Sequence, residues 1–394
     1  MQNFDFDAPI ERHGTWSAKF DGAQKFGKPD GLLPLWVADM DFPAPPVVRA
    51  ALEKCVSFGV FGYSTPDDTY ADAVINWYTR RHGWTPRAEW LVKTPGVCVA
   101  LAMAVRALTK EGDGVLIQPP VYYPFANTIR NNRRALVESP LVYKDGRYSI
   151  DFADFEAKAA DGRVKAFILC NPHNPVCRVW TREELQKLGD ICHRHGVFVI
   201  SDEIHGDITL TGHAYTPYLA ANPALADEAI ACTAPSKTFN LAGLQASNIF
   251  IPNPDVRAAF QREIDAAGLG LLNLPGLVAC KAAYTGGEDW LDACLAYMRQ
   301  NLDMLREYLA AYIPEIRLVE PEGTYFAWLD CAALGFESAD ALDNFITERA
   351  GLWLDAGQMF GSTAGQFQRV VLACRRDMLR AALEQLKAAV DSLR

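Results

Sequence analysis

The chain has 394 residues, and 38 Lys and Arg against 48 Asp and Glu give it a formal net charge of −10 at pH 7. Half of its residues are hydrophobic, which is typical of a globular protein with a large core. The negative charge argues against nucleic-acid binding, and the lack of an 18-residue apolar run argues against a membrane span. The N-terminus does not resemble a signal peptide, and the ten cysteines form no Cys-x-x-Cys pair. We therefore expect a cytoplasmic protein without a bound metal.

From about residue 45 onward, short apolar segments alternate with helical patterns. Helices are predicted at 45–57, from Thr65 to Gly83, from Thr94 to Leu108, after Pro119, at 152–160 and from the capping box Thr181-Arg-Glu-Glu184 to Gly196. Strands are predicted at 115–117, 135–137, 164–169, 197–200, 229–232 and 248–251. Short, nearly continuous apolar strands between helices predict a largely parallel sheet covered on both faces, and so an α/β fold.

After about residue 285 the pattern changes to that of a smaller α+β domain. It predicts helices at 290–311, 339–350 and 376–393, and strands at 317–319, 324–329 and 369–373. We place the domain boundary near residue 286, so the large domain covers residues 46–285. The N-terminal arm, residues 1–45, is expected to join residues 286–394 in the small domain.

Two uncharged segments stand where a ligand of such a sheet would bind, beyond the carboxyl ends of the strands. Thr94-Pro-Gly-Val-Cys98 opens a helix, whose free N–H groups and dipole suit a phosphate. Asn171-Pro-His-Asn-Pro175 follows the strand at 164–169, and its prolines direct an amide side chain above the sheet. A simple β-turn explains the second segment equally well.

Two further segments at this edge carry charged side chains. Ser201-Asp-Glu-Ile-His205 places a carboxylate at the end of a buried strand, where it needs a cationic or N–H partner, although a helix cap is the alternative. Lys237 lies between two apolar strands, where an ammonium group is poorly solvated, although most lysines simply lie at the surface. A dinucleotide site is disfavoured because no G-x-G-x-x-G follows the first strand. Together the four segments predict one site that holds a phosphate cradle, an amide, a carboxylate and a lysine.

The chain resembles the fold-type I pyridoxal-phosphate enzymes of the class I and II aminotransferase superfamily, and most of all their cystathionine β-lyase, or C–S lyase, branch. The resemblance covers nearly the whole chain. It rests on Trp36-Val-Ala-Asp-Met-Asp-Phe-Pro43, Phe61-Gly-Tyr-Ser64, Asn171-Pro-His-Asn-Pro175, Ser201-Asp-Glu-Ile-His205 and Ala234-Pro-Ser-Lys-Thr-Phe-Asn-Leu-Ala-Gly-Leu-Gln245. It implies the PLP-transferase fold, with a mostly parallel seven-stranded sheet, and pyridoxal 5′-phosphate as the cofactor.

The resemblance also implies a role for each residue around the cofactor. Lys237 forms the Schiff base, and Asp202 pairs with the pyridinium nitrogen, which makes the ring an electron sink. Asn174 hydrogen-bonds the phenolic oxygen, and His205 lies nearby. Tyr123 stacks on the ring and is the second expected catalytic residue.

Further positions are assigned to the phosphate, the partner subunit and the substrate. The phosphate is expected to be held by Gly96, Val97, Cys98 and Ser236. Tyr63 reaches the phosphate of the neighbouring subunit, which implies a homodimer with shared active sites. The expected substrate-binding residues are Arg369, whose guanidinium suits a carboxylate, with Ala38 and Asp39.

The sequence departs from the family pattern at four positions. Many aminotransferases carry an arginine that faces the phosphate at the position of Gln245. The glutamine is the residue of the lyase branch. Cys177 replaces a glycine after the Asn-Pro-x-Asn-Pro segment. Val371 replaces an asparagine after Arg369, and Arg375 replaces a proline before the last helix.

These roles imply an α,β-elimination of a sulfur amino acid. Lys237 removes the Cα proton, the sulfur leaves with a proton from Tyr123 or Lys237, and the remainder becomes pyruvate and ammonia. L-Cystathionine, an intermediate of methionine biosynthesis, is the expected substrate, with cysteine or its conjugates as others. Two alternatives stay open, an aminotransferase and a regulatory protein that keeps the fold. The stretch Gly243-Leu-Gln245 and the block Trp36-Val-Ala-Asp-Met-Asp41 argue against the first. The intact pair of Lys237 and Asp202 argues against the second.

Overall fold

The fold is described by a computed structural model that covers residues 4–210 and 212–394. Within these residues the main sheet has seven strands. In spatial order they are Leu91–Thr94, Ser247–Phe250, Ala229–Thr233, Phe198–Asp202, Val164–Cys170, Gly114–Ile117 and Ala135–Glu138. The strand Ser247–Phe250 runs antiparallel to both of its neighbours, and the other pairs are parallel. The predicted α/β fold with a mostly parallel sheet is confirmed.

Alternate residues of the central strands enter two different apolar clusters, one on each face of the sheet. Ile168, Ile200 and Ile230 belong to one cluster, whereas Phe167 and Val199 belong to the other. Because both faces are buried, these strands show no polar alternation in the sequence.

The edge strand Leu91–Thr94 was not among the predicted strands. Its residues alternate between partly buried and buried positions, and Lys93 interrupts the apolar run. This four-residue segment therefore lacks the continuous apolar character by which the central strands were recognised.

The helices of eight or more residues flank the sheets. They are Pro46–Phe58, Asp68–His82, Val97–Leu108, Pro124–Asn131, Phe152–Ala159, Arg182–His195, Pro254–Ala266, Leu274–Gly286, Glu288–Tyr312 and Arg376–Asp391. The expected start at Thr65 is wrong, because the helix begins at Asp68 after the N-cap Asp67. The Asp67 side chain accepts no cap hydrogen bond from the backbone, so side-chain capping does not fix this start. None of the helices in the described ranges is long and apolar enough to cross a bilayer.

A second sheet is formed by the C-terminal part of the chain. In spatial order its strands are Arg317–Val319, Phe326–Asp330, Phe367–Val371 and Asp355–Ala356. The predicted helix at 339–350 is α-helical over Ala339–Asn344 and continues as a π-helix over Phe345–Arg349. Leu33–Pro34 of the N-terminal arm pairs with Leu352–Trp353, which fits an arm that joins the C-terminal segment. The domain boundaries at residues 46 and 286 stay a prediction.

The predicted capping box is present at the helix Arg182–His195. The Thr181 hydroxyl accepts from the Glu184 N–H at 3.1 Å, and the Glu184 carboxylate accepts from the Thr181 N–H at 2.8 Å. We expect Thr181→Ala to lower the free energy of unfolding by about 1 kcal/mol, since it removes one acceptor of an otherwise free helical N–H. Urea denaturation with an unchanged m-value measures this loss. Thr181→Ser keeps the acceptor and should retain most of the stability.

Candidate active site

A cavity of about 280 Å³ opens at the carboxyl edge of the main sheet. Its size is close to the lower limit of ordinary small-molecule pockets, about 300 Å³. The antiparallel strand Ser247–Phe250 starts at this edge, so the residues before it join the residues that follow the parallel strands. The lining residues are Ala38, Pro95, Gly96, Val97, Cys98, Tyr122, Cys170, Asn174, Asp202, Ile204, His205, Ser236, Lys237, Ala242, Gln245 and Ala246. Eight of the predicted cofactor-binding positions therefore meet in one cavity.

Lys237 lies in the short helix Pro235–Thr238, directly after the strand Ala229–Thr233. Its Nζ donates a hydrogen bond to the carbonyl oxygen of Ala38 at 2.6 Å. Burial lowers the pKa of the Lys237 amine to about 8, and the nearby carboxylate of Asp39 partly opposes this shift. The neutral, nucleophilic amine is therefore accessible close to neutral pH.

Asp202 is the last residue of the central strand Phe198–Asp202, and it is 4% exposed. Its carboxylate accepts a hydrogen bond from the Ile204 N–H at 3.2 Å. No Lys, Arg or His side chain of the described residues forms an ion pair with it. Burial raises the pKa of Asp202 to about 7. A buried carboxylate of this kind needs a cation, and the protonated nitrogen of a bound pyridine ring has the matching charge.

His205 and Asn174 offer polar atoms in the same cavity as Asp202. His205 is buried, and its Nδ1 has no hydrogen-bond partner within residues 4–210 and 212–394. Burial lowers the pKa of His205, so the ring is neutral. The Asn174 side-chain oxygen accepts from Arg369 Nη1 at 2.8 Å, while the Asn174 side chain also lines the cavity. Both residues can therefore present hydrogen-bonding atoms to a planar polar ring.

The opposite end of the cavity is an anion cradle. Gly96 has a φ of +110°, a conformation that favours glycine, and its N–H donates to the Ser247 hydroxyl at 3.1 Å. The helix Val97–Leu108 follows, and no side chain caps its first turn. The N–H groups of Val97 and Cys98 have no partner within the helix, and Ser236 adds a hydroxyl on the same wall. A phosphate fits this set of donors.

The tyrosine that lines the cavity is Tyr122, and not its neighbour Tyr123. Tyr123 lies in an adjacent depression, with its ring centroid 6.0 Å from that of Phe360. The sequence alone does not distinguish these two consecutive tyrosines, because the turn before the helix Pro124–Asn131 sets which one faces inward. The stacking role of Tyr123 stays a prediction.

The three predicted substrate-binding residues do not all line the cavity. Ala38 lines the cavity, whereas the Asp39 carboxylate is bound by Arg12 Nη2 at 2.6 Å. The side chain of Arg369 is 3% exposed and lies behind Asn174, where it forms an ion pair with Asp355. Arg12 and Asp355 carry no local sequence signal, because each binds a residue that lies more than ten positions away in the chain.

Tyr63 lies outside this cavity and is 98% exposed. Within one chain it contributes nothing to the site. Its predicted role requires a second subunit and stays a prediction.

Two of the four departures from the family pattern have a clear structural setting. Gln245 lines the cavity, at the position discussed above for an arginine. Cys177 keeps a left-handed backbone, with a φ of +60°, and its thiol donates to the Pro175 carbonyl at 3.0 Å. The turn thus retains the conformation that a glycine would adopt.

A family model described as aminotransferase class I and II matches residues 31–386. The chain belongs to the class I and II aminotransferase family. It is 44% identical over 388 residues to the cystathionine β-lyase PatB of Bacillus subtilis. The aligned region covers 98% of this chain and 100% of that protein.

Two solved structures with bound pyridoxal 5′-phosphate are similar to the chain, and one of them is a C–S lyase. Cystalysin of Treponema denticola, which contains pyridoxal 5′-phosphate, has a TM-score of 0.96 and 38% identity, with 100% of both chains covered. The pyridoxal-phosphate-bound C–S lyase of Staphylococcus hominis has a TM-score of 0.92 and 34% identity, with 99% of this chain and 98% of that chain covered. The family and fold that the motifs implied are confirmed.

The raised pKa of Asp202 predicts how the stability of the cofactor-free protein depends on pH. The unfolded chain loses the Asp202 proton near pH 3.9, whereas the folded chain keeps it to about pH 7. The folded state therefore binds more protons between these values, and stability falls as the pH rises through this window. We therefore expect the free energy of unfolding at pH 8 to be higher for Asp202→Asn than for the unsubstituted chain, by up to about 4 kcal/mol.

Denaturant unfolding of the cofactor-free protein at several pH values measures this effect as the difference between Asp202→Asn and the unsubstituted chain. The same variant should bind pyridoxal phosphate more weakly, because it lacks the charge that pairs with the ring nitrogen. Equal stability of the two proteins at pH 8 would contradict the assignment of a costly unpaired carboxylate.

Proposed function

We propose that this protein is a pyridoxal-phosphate-dependent C–S β-lyase that converts L-cystathionine, or cysteine and its conjugates, to a thiol, pyruvate and ammonia. The observation that carries the proposal is the unpaired, buried carboxylate of Asp202 in the same cavity as Lys237. The anion cradle at Val97 and Cys98 completes a site with the charges that pyridoxal phosphate requires. The similarity to PatB and to the C–S lyase of Staphylococcus hominis supports the type of reaction.

Several residues would hold the cofactor. When bound, the cofactor supplies an electron-withdrawing ring that stabilises the electron pair left at Cα of the substrate. Lys237 would hold it covalently, Asp202 would keep the ring nitrogen protonated, and Asn174 would orient the ring through its amide. The N–H groups of Val97 and Cys98, with Ser236, bind the phosphate.

The chain's own residues then position the substrate and move the proton. Arg369 and Asn174 form the side of the site expected to receive the α-carboxylate. The amine of Lys237 would take the Cα proton and pass it to the departing sulfur. Tyr123 is the other expected proton donor, although Tyr122 is the tyrosine that lines the cavity.

The proposed homodimer is supported by an exposed apolar surface around Tyr63. Phe58, Val60 and Phe61 are each more than half exposed. An apolar groove of about 820 Å³ between the helices Pro46–Phe58 and Leu274–Gly286 lies beside them. Apolar patches of this kind mark association surfaces. A partner seated there would bring its own Tyr63 toward the phosphate cradle.

We also propose that the protein acts in the cytoplasm, in sulfur amino acid metabolism. All ten cysteines are free thiols, and eight of them are buried. Free thiols are typical of a reducing compartment. Cleavage of L-cystathionine on its β-carbon releases a homocysteine thiol, which suits a role in methionine biosynthesis.

Replacement of Lys237 tests the proposed reaction. We expect the purified holoenzyme to release pyruvate from L-cystathionine, and Lys237→Ala to lower the rate at least about 1000-fold because the base is lost. Lys187→Ala, at an exposed position of the helix Arg182–His195, is the matched control and should keep the activity. Pyruvate and thiol are assayed together with the visible absorption of the cofactor.

The same assay separates the alternatives. Amino transfer to an added 2-oxoacid, without pyruvate release, would identify an aminotransferase. A protein that takes up no pyridoxal phosphate would refute the proposal and leave a regulatory protein with the same fold.

Subunit mixing tests the shared active site. Tyr63→Ala and Lys237→Ala homodimers should each be strongly impaired. In a mixed dimer, the subunit that carries Tyr63→Ala keeps its own Lys237 and receives Tyr63 of the partner subunit. We therefore expect activity to return on mixing by unfolding and refolding, up to one working site per mixed dimer. Unchanged activity after mixing, with dimers present by sedimentation, would contradict a site completed across the interface.

A further inference from the structure

The immediate partner of Arg369 is a carboxylate that belongs to the chain itself. Arg369 lies on the strand Phe367–Val371, and Asp355 lies directly opposite it on the neighbouring antiparallel strand. The two side chains form an ion pair and are only 3% and 4% exposed. The guanidinium also lies over the rings of Phe326 and Phe360, at 4.2 and 4.9 Å from their centroids. In such apolar surroundings a cation needs a counter-ion, and Asp355 supplies it.

The hydrogen bonds of Arg369 leave no free pair of N–H groups for a second carboxylate. Nη1 donates to Asn174, and Nη2 donates to both the Trp36 carbonyl and Asp355. Nε has no partner among the described residues. A carboxylate bound in bidentate fashion takes one N–H from Nη2 together with one from Nε or Nη1. Both N–H groups of Nη2 are already committed, so a bidentate ligand must displace one acceptor.

We propose that Asp355 is an internal competitor of the substrate, and that the α-carboxylate of the incoming amino acid displaces it from Arg369. This inference rests on the proposed function, because it requires an amino acid substrate. Asp355 thereby limits how tightly the site binds carboxylates, and it keeps Arg369 neutralised while the site is empty.

The displacement has a consequence for protons. With the substrate bound, two carboxylates share one guanidinium, and their repulsion favours protonation of the internal one. The charged and titratable groups around Asp355 are Arg369, Lys28, Asp343 and Tyr123. Burial already raises the pKa of Asp355, and Asp343 adds to the shift, while Arg369 and Lys28 oppose it. We therefore expect carboxylate binding to be accompanied by proton uptake.

The test uses the holoenzyme and propionate, a carboxylate that has no amino group to react at the cofactor. Calorimetric titrations in buffers of different ionisation enthalpy give the affinity and the number of protons taken up. The visible spectrum, recorded in parallel, reports any change of protonation at Lys237 and the cofactor. For the unsubstituted protein we expect proton uptake with an unchanged spectrum, and affinity that falls as the pH rises.

Two variants complete the experiment. Asp355→Asn keeps a hydrogen-bond acceptor but removes the charge, so proton uptake should vanish and propionate should bind roughly tenfold more tightly at alkaline pH. Asp343→Asn is the matched control. Asp343 is bound by Lys28 at 2.8 Å and does not touch Arg369, so this variant should keep the proton uptake.

Three outcomes would overturn the proposal: no proton uptake by the unsubstituted protein at any pH, uptake that coincides with a spectral change, or weaker binding by Asp355→Asn. Weaker binding would show that Asp355 only positions Arg369. If Asp355→Asn does not fold, the unsubstituted protein and Asp343→Asn still decide the question. Pyruvate release from L-cystathionine is measured on the same samples, so the inference can fail while the proposed lyase function stands.

Discussion

The site depends on a buried carboxylate for which the described chain provides no cation. Asp202 is held at the end of the central strand by backbone pairing with both neighbouring strands. It cannot turn toward water, and its pKa is raised by burial. A ligand with a protonated ring nitrogen removes the free-energy cost of the buried carboxylate, and this gain adds to the affinity for that ligand. Lys237 and the first residues of the helix Val97–Leu108 line the same cavity.

Sheet topology explains why these groups meet. The parallel strands all end at one edge, and the reversed strand Ser247–Phe250 starts there, so six short segments next to these strands face one cavity. The substrate side is built differently. Arg369 and Asp355 come from the second sheet, and the Ala38 carbonyl comes from the N-terminal arm. The carboxylate-binding side therefore depends on how the arm and the C-terminal segment dock onto the main sheet.

The two buried charged groups Asp202 and Arg369 differ in whether the chain supplies a counter-ion. Asp202 has no cationic side-chain partner among the described residues, whereas Arg369 is paired with Asp355. A third centre holds the arm in place: Asp39 and Asp41 are both bound by Arg12, and Asp41 is also bound by the fully buried Lys19. This cluster positions the Ala38 carbonyl that accepts the hydrogen bond from Lys237.

The sequence by itself determined the alternation of strands and helices, the capping box at Thr181, and the Asn174, Asp202 and Lys237 segments. Each depends on a local rule: an apolar run, a cap, or a polar residue directly after a strand. Tertiary structure alone decided the rest. Which of Tyr122 and Tyr123 faces the cavity depends on one turn, and the pairing of Arg369 with Asp355 depends on strand register. Leu91–Thr94 became a strand because a neighbouring edge was open to it, and such long-range pairing leaves no local pattern.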